Sequence, residues 1–209
     1  MRLSNAKLAV IAQRAASSLE TLQTSYDLAQ LVVKNDIHGD IVECGVYHGA
    51  QIAAMALGIK DAYGRYTFQR KVIGFDCFEG IPAPSEHDKQ WIEAGHPVGT
   101  SCATLEQVYA NLKEWSIPIE AFELCSGYFE EAVPKWASRR LPETISVLRL
   151  DGDLYESTKV CIEHLYPLVS KGGFIIVDDF GLDGARKAVE EYILGKGGPG
   201  WCPIVWQKS

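Results

Sequence analysis

The fold is indicated most directly by residues 40–49, which read Asp-Ile-Val-Glu-Cys-Gly-Val-Tyr-His-Gly. An apolar stretch runs into Gly45, and an alanine-rich segment follows Gly49. This order predicts a strand, a glycine turn and a helix, the repeating unit of parallel α/β sheets. The two glycines are four residues apart, so the GxGxxG pattern of dinucleotide-binding proteins is absent.

The rest of the chain alternates between short apolar runs and amphipathic segments. Further strands are predicted at residues 71–75, 120–124, 144–150, 174–177 and 202–206. Helices are predicted at residues 5–34, 49–63, 104–115, 155–169 and 183–194, with Gly172-Gly173 as the stop of the fourth. Near-continuous apolar strands between helices predict an α/β fold, a doubly wound, mostly parallel sheet with helices on both faces.

The predicted domain organisation is a single domain over residues 1–209. Residues 1–38 are expected to form an N-terminal helical extension. Residues 77–103 contain Pro82, Pro84 and Pro97 and are expected to form a lid loop over the active site.

Composition excludes several classes of protein. The chain has 209 residues, 47% of them hydrophobic, and a net charge of −7, which disfavours binding to nucleic acid. The N-terminus lacks the apolar core of a signal peptide, no apolar run is long enough to span a bilayer, and none of the six cysteines forms a CxxC pair. We expect a cytoplasmic protein without a membrane partner, and the apolar stripe of the first helix suggests a homodimer.

Acidic residues follow the predicted strands one after another. They are Glu43, Asp76, Asp151, Asp178 and Asp179. The carboxyl ends of parallel strands meet at one edge of an open sheet, where ligands bind, so these acids are expected to converge on one crevice.

The first two of these acids fit a nucleoside-containing ligand. Gly45 would let the backbone approach a ligand, and the helix N-terminus after it would offer N–H groups to an anion such as a carboxylate, with Glu43 near an ammonium. Asp76 could bind both hydroxyls of a ribose through its two oxygens. A plain tight turn and a helix cap are the alternative interpretations, and His48 in the turn could contact the ligand or only hydrogen-bond locally.

The remaining acids fit a divalent cation. Asp151, Asp178 and Asp179 would repel one another at adjacent strand ends unless a cation neutralised them, and Mg²⁺ prefers such oxygen ligands. Solvated or helix-capping acids are the alternative interpretation. Asp153 could in particular cap the helix that starts near Tyr155.

Five motifs together resemble the macrocin O-methyltransferase family, whose members methylate sugar hydroxyls of macrolides and related natural products. The motifs occupy residues 43–49, 75–82, 127–129, 148–158 and 172–180. The wider arrangement is similar to catechol O-methyltransferase, which also uses Mg²⁺. The resemblance therefore implies S-adenosylmethionine as methyl donor.

The resemblance also implies a role for each matched residue. The expected metal ligands are Asp151, Asp178 and Asp179. The donor's methionine part is expected at Glu43, Gly45, Tyr47 and Gly49, its ribose at Asp76, and its adenine at Ser126, Gly127 and Tyr128. The family often has Trp-Arg where this chain has Tyr47-His48, and Leu154 stands where the catechol enzyme has a lysine base.

The sequence thus predicts an S-adenosylmethionine-dependent and Mg²⁺-dependent O-methyltransferase (another divalent cation is an alternative). The acceptor is expected to be a small molecule with a hydroxyl on a sugar or a glycosylated natural product. Asp151 is the first choice of catalytic base and Asp153 the second. The alternatives are a metal-dependent phosphoryl or glycosyl transferase that uses Asp151 and Asp153, and a non-catalytic nucleotide-binding module.

Overall fold

The computed structural model describes residues 5–16, 18–67, 69–142, 144–195 and 205–208. One sheet contains the strands β1 Asp40–Cys44, β2 Val72–Asp76, β3 Phe122–Ser126, β4 Ile145–Leu150, β5 Val169–Val177 and β6 Val205–Gln207. The helices of these residues are α1 Asn5–Ala12, α2 Leu19–Lys34, α3 Ala50–Tyr63, α4 Lys89–Ala94, α5 Leu105–Glu114, α6 Phe129–Ala137, α7 Tyr155–Leu165 and α8 Asp183–Gly195.

The strand order is β3-β2-β1-β4-β5-β6, and all pairs are parallel except β5 with β6. The chain moves outward from β1 to β3 and then returns to β4 on the other side of β1. The sheet is therefore doubly wound and mostly parallel, as predicted, and its topological switch point lies between β1 and β4.

Two hydrophobic cores lie on opposite faces of the sheet. Adjacent strand residues alternate between them: Ile41 and Val147 pack with α2, α3 and α5, whereas Val42 and Leu148 pack with α7 and α8. This alternation follows from the period of two along a strand. Because helices cover both faces, a ligand can reach the central strands at their ends.

Several predicted boundaries were wrong. The helix predicted at 5–34 is two helices, because the Ser18 side chain accepts a hydrogen bond from Thr21 N (3.2 Å) and starts α2 anew. The helix predicted at 155–169 ends at Leu165 in a short 3-10 turn that contains Pro167. Gly172-Gly173 is not its stop but lies inside β5.

Two helices were not predicted, and one predicted strand is only partly described. α4 interrupts the predicted lid loop, and α6 follows β3 despite Pro134 in its interior. Of the strand predicted at 202–206, residues 202–204 lie outside the described residues, and the described part continues to Gln207.

Gly58 gives the first testable prediction, because α2 and α3 pack closely at this residue. A Cβ at Gly58 would lie 2.5 Å from Tyr26 O and 2.9 Å from Ala29 Cβ. We expect Gly58→Ala to lower the free energy of unfolding by about 1–3 kcal/mol, because overpacking outweighs the better helix propensity of alanine. Urea denaturation measures the change. Gly181→Ala is the control, since that Cβ would meet open space, and a Gly58→Ala protein as stable as the unaltered one would contradict the prediction.

Candidate functional site

A cavity of about 280 Å³ opens at the carboxyl ends of the central strands. Its walls come from the turns after β1, β2, β4 and β5, and residues before α2 and after β3 complete it. This is the crevice at the topological switch point, where open α/β sheets bind their ligands.

Most of the predicted site residues line this cavity. They are Glu43, Gly45, Tyr47, Asp76, Tyr128, Asp151, Asp153, Asp178 and Asp179. Of the described residues, Gly49, Ser126 and Gly127 were also predicted but are not among those that line it. Gly49 instead precedes α3 in a left-handed conformation (φ 83°), and Gly127 N donates to Asp76 O (3.0 Å).

Gly45 brings the turns after β1 and β4 together. Its φ is +95°, and a Cβ there would lie 1.8 Å from the backbone oxygen of Asp151. Gly45 N donates to Phe75 O and Asp151 N donates to Cys44 O, both at 2.9 Å. Only glycine fits this contact, so the Gly45 turn and the acidic turn after β4 form one wall of the cavity.

Asp76 is engaged by backbone amides at the end of β2. Its Oδ2 accepts hydrogen bonds from Val46 N (2.8 Å) and Tyr47 N (3.0 Å), and its Oδ1 accepts one from Phe78 N (2.8 Å). A carboxylate oxygen offers about two lone-pair sites. In this arrangement Asp76 can therefore offer a ligand hydroxyl only the remaining site on Oδ1, which is less than the bidentate contact predicted from the sequence.

Three carboxylates converge in the same cavity as the Gly45 turn and Asp76. Asp151, Asp178 and Asp179 can each place one oxygen within 4.8 Å of the others. Burial raises the pKa of Asp151 well above its usual range; the adjacent Arg149 partly offsets this, and the neighbouring Asp179 and Asp178 raise the pKa further. The charged forms of these carboxylates are unfavourable on their own, and their oxygens are close enough to share one ion. The cluster is therefore suited to bind a divalent cation.

Arg149 lies beneath these carboxylates, and the sequence reasoning gave it no role. Its side chain is fully buried, and Nη2 lies 3.0 Å from both Asp151 Oδ2 and Asp178 Oδ2. Its Nε lies 3.5 Å from Oε1 of Glu43, its cross-strand neighbour. The available signal was a charged residue inside the apolar run of β4, two residues before Asp151 and hence on the same face.

Arg149 already supplies a positive charge to the acidic cluster. Its guanidinium is a counter-ion for the carboxylates, so a metal would not be the only positive charge near them. One guanidinium nevertheless faces the carboxylates of Glu43, Asp151, Asp178 and Asp179. Burial also raises the pKa of Glu43, and Arg149 only partly offsets this effect. A cation beside these carboxylates would favour their charged forms, which one guanidinium does not fully stabilise.

Asp153 does not cap α7, contrary to one of the two interpretations of the sequence. Its φ is +58°, and its backbone N donates to Asp179 Oδ2 (2.9 Å). Its side chain lines the cavity, where burial and then Asp151 raise its pKa to about 7. The first N–H of α7, that of Tyr155, is instead bound by Asp88 (2.7 Å).

Two more residues, His48 and Tyr128, line the cavity. Nδ1 of His48 is buried without a hydrogen-bond partner among the described residues. Tyr128 OH donates to Glu79 Oε2 (3.0 Å) and so bridges the segments after β2 and β3.

The fold and the position of this site match those of Rossmann-like methyltransferases. The structure of the O-methyltransferase NovP matches with a TM-score of 0.81 and 28% identity over 94% of this chain and 82% of that one. CalS11, a calicheamicin methyltransferase, shares the fold with a TM-score of 0.69 at 21% identity, over 97% of this chain and 90% of that one. The profile of the macrocin-O-methyltransferase (TylF) family matches residues 15–197, and the chain belongs to this family.

Two relatives of this chain carry the names of O-methyltransferases. An 8-demethyl-8-(2,3-dimethoxy-alpha-L-rhamnosyl)-tetracenomycin-C 4'-O-methyltransferase of Streptomyces olivaceus is 34% identical over 83% of this chain and 65% of its own length. A mycinamicin III 3''-O-methyltransferase of Micromonospora griseorubida is 30% identical over 83% of this chain and 68% of its own. The chain thus spans about two thirds of the length of these relatives. Within the described residues, no helix is both long and apolar enough to cross a membrane.

Proposed function

We propose that this protein transfers a methyl group from S-adenosylmethionine to a hydroxyl group on the sugar of a glycosylated natural product, with Mg²⁺ at its acidic cluster. The observation that carries the proposal is that a single cavity joins the Gly45 turn to the carboxylates of Asp151, Asp178 and Asp179. Membership of the family and the names of the relatives support both the reaction and the class of acceptor.

The donor would occupy the half of the cavity between β1 and β3. Its methionine part would lie at Glu43, Gly45 and Tyr47, its ribose at Oδ1 of Asp76, and its adenine near Tyr128. Gly49, Ser126 and Gly127, which do not line the cavity, would act by shaping the turns that do.

Asp151, Asp178 and Asp179 would hold the metal, which when bound supplies a Lewis acid that lowers the pKa of an acceptor hydroxyl. Asp153 would accept the proton of that hydroxyl, because its carboxyl group lines the same cavity as the acidic cluster. Asp151 is the weaker candidate, since its Oδ2 is already bound to Arg149.

The transfer itself is an in-line displacement. A bond forms between the acceptor oxygen and the methyl carbon while the carbon–sulfur bond breaks, and sulfur keeps the electron pair as the neutral thioether of S-adenosylhomocysteine. The hydroxyl proton goes to Asp153. The leaving group is already a sulfonium, so alignment within the cavity is the main contribution of the protein, and such alignment can remove roughly 7–11 kcal/mol of barrier.

Ligand-dependent stability tests the donor. S-adenosylhomocysteine at about 100 times its dissociation constant is expected to stabilise the protein by about 2.7 kcal/mol, measured by thermal unfolding. NAD⁺ is the control and should give no shift. Absence of a shift with millimolar S-adenosylhomocysteine would refute the proposal, and a shift with a nucleotide sugar instead would favour the glycosyl-transfer alternative. Methyl transfer to mycinamicin III, used as an acceptor probe, then tests the reaction.

A further inference from the structure

We propose that Asp88 is a positioning residue that holds the first turn of α7 and, through it, the backbone that presents Asp153 to the cavity. Asp88 lies in the segment between β2 and α5, within the predicted lid, and does not itself line the cavity. The inference rests on the proposed function in one respect, namely that methyl transfer takes place in the cavity that Asp153 lines.

Asp88 is a buried carboxylate with a full set of donors. Its relative exposure is 2%. Oδ1 accepts a hydrogen bond from Tyr155 N (2.7 Å), and Oδ2 accepts two from Ser85, from N and from Oγ (2.8 Å each). Hydrogen bonds to a charged acceptor are stronger than neutral ones, so this contact fixes both the loop and the helix end.

α7 has no cap of its own. Its N-cap residue is Leu154, whose side chain cannot accept a hydrogen bond, and the first N–H groups of a helix otherwise lack partners. Asp88 supplies the missing acceptor from 67 residues earlier in the chain, and its negative charge suits the positive end of the helix dipole.

The held helix end adjoins the strained residue Asp153. Asp153 has a left-handed backbone (φ +58°), which is uncommon for a residue other than glycine and persists only when the surroundings enforce it. On its amino side, Asp153 N is bound by Asp179 Oδ2 (2.9 Å). Two residues later, Tyr155 N is bound by Asp88. Without the second contact, Tyr155 N loses its acceptor, and the backbone after Asp153 is held less firmly.

The packing of α8 is shaped around the same carboxylate. A Cβ on Gly184 would lie 1.8 Å from Asp88 Oδ1, so the start of α8 has a glycine where Asp88 passes. Next to it, Asp183 N donates to Gln90 Oε1 (2.9 Å), which fastens the same loop to the start of α8. Asp88 and Gln90 therefore offer a matched pair of variants.

The experiment compares Asp88→Ala, Asp88→Asn and Gln90→Ala in the full chain. Amide hydrogen exchange is expected to rise about tenfold or more around Asp153 and Tyr155 in Asp88→Ala, because the helix end opens locally. Asp88→Asn keeps one acceptor oxygen and should show a smaller increase. Gln90→Ala should leave exchange at these amides unchanged.

Kinetics separate positioning from general damage. We expect Asp88→Ala to lower kcat about 10²-fold, as misplacement of a reacting group by about 1 Å can do, with KM for S-adenosylmethionine changed less than about threefold. Asp88→Asn should recover part of kcat, and Gln90→Ala should stay near the unaltered value.

Three results would overturn the inference: unchanged exchange at Asp153 and Tyr155, an unchanged kcat despite faster exchange there, or faster exchange spread equally to the central strand β1. Absence of methyl transfer in the unaltered protein would instead count against the proposed function alone. In that case the exchange at Asp153 in Asp88→Ala still supports or overturns the positioning role.

Discussion

Asp179→Asn is expected to remove Mg²⁺ binding and to lower kcat by about 10³-fold, because a Lewis acid contributes several kcal/mol and each 1.36 kcal/mol is a factor of ten. Asp179 supplies one of the three oxygens that lie within 4.8 Å of one another. Asparagine still offers an oxygen to Asp153 N, so the local fold is kept. Calorimetric titration with MgCl₂ and steady-state turnover measure the two effects.

The Tm of the metal-free Asp179→Asn protein shows whether the variant has lost a metal ligand or has misfolded. The substitution removes a negative charge from a crowded cluster, so the metal-free variant should have the same Tm as the unaltered protein or a higher one. Asp183→Asn, which removes a carboxylate only four residues away and outside the cavity lining, is the control and should bind Mg²⁺ normally. Undiminished Mg²⁺ binding by Asp179→Asn would show that the cluster is not a metal site.

The sheet was predictable because local and tertiary preferences agree there. Apolar runs that end at a glycine or an acid mark the strands in the sequence, and the structure buries those runs on both faces. The start of β5 was missed because Gly172-Gly173 follows a helix and has the composition of a helix stop. In the sheet, Gly173 is required by close packing instead, since a Cβ there would lie 2.9 Å from Ser146 O. Only the neighbouring strand reveals that requirement.

The site residues also fall into those that the sequence predicts and those that it does not. The strand-end acids were found because parallel strands align their carboxyl ends, so Asp151 and Asp178 had to meet once the fold was known. Arg149 and Asp88 were missed because their partners lie across the sheet or far along the chain. Nothing local in a strand arginine or a loop aspartate shows which group it will bind. Arg149 and Asp88, which hold the acidic turn in place, could therefore not be predicted from the sequence.

The second large effect is expected at Arg149. Arg149→Met should lower the free energy of unfolding by about 3–5 kcal/mol in the absence of metal, because buried carboxylates lose their counter-ion. Glu43, Asp151 and Asp178 all lie within 3.5 Å of the guanidinium. Added Mg²⁺ should then stabilise the variant more than it stabilises the unaltered protein, by upwards of about 1 kcal/mol, since the cation no longer meets a fixed positive charge. Urea denaturation with and without MgCl₂ measures both quantities.

Arg70 offers the matched control for this effect. It is a second buried arginine, and its guanidinium donates to Ser146 Oγ (3.0 Å) and to the carbonyl of Ile37, near the start of β1 and away from the cavity. Arg70→Met should also destabilise the protein, but Mg²⁺ should stabilise it no more than the unaltered chain. Arg149→Lys, which keeps the charge, should fall between the unaltered protein and Arg149→Met. If Mg²⁺ stabilises Arg149→Met and Arg70→Met equally, Arg149 is a structural residue only, because a counter-ion shared with a metal site must respond to the metal.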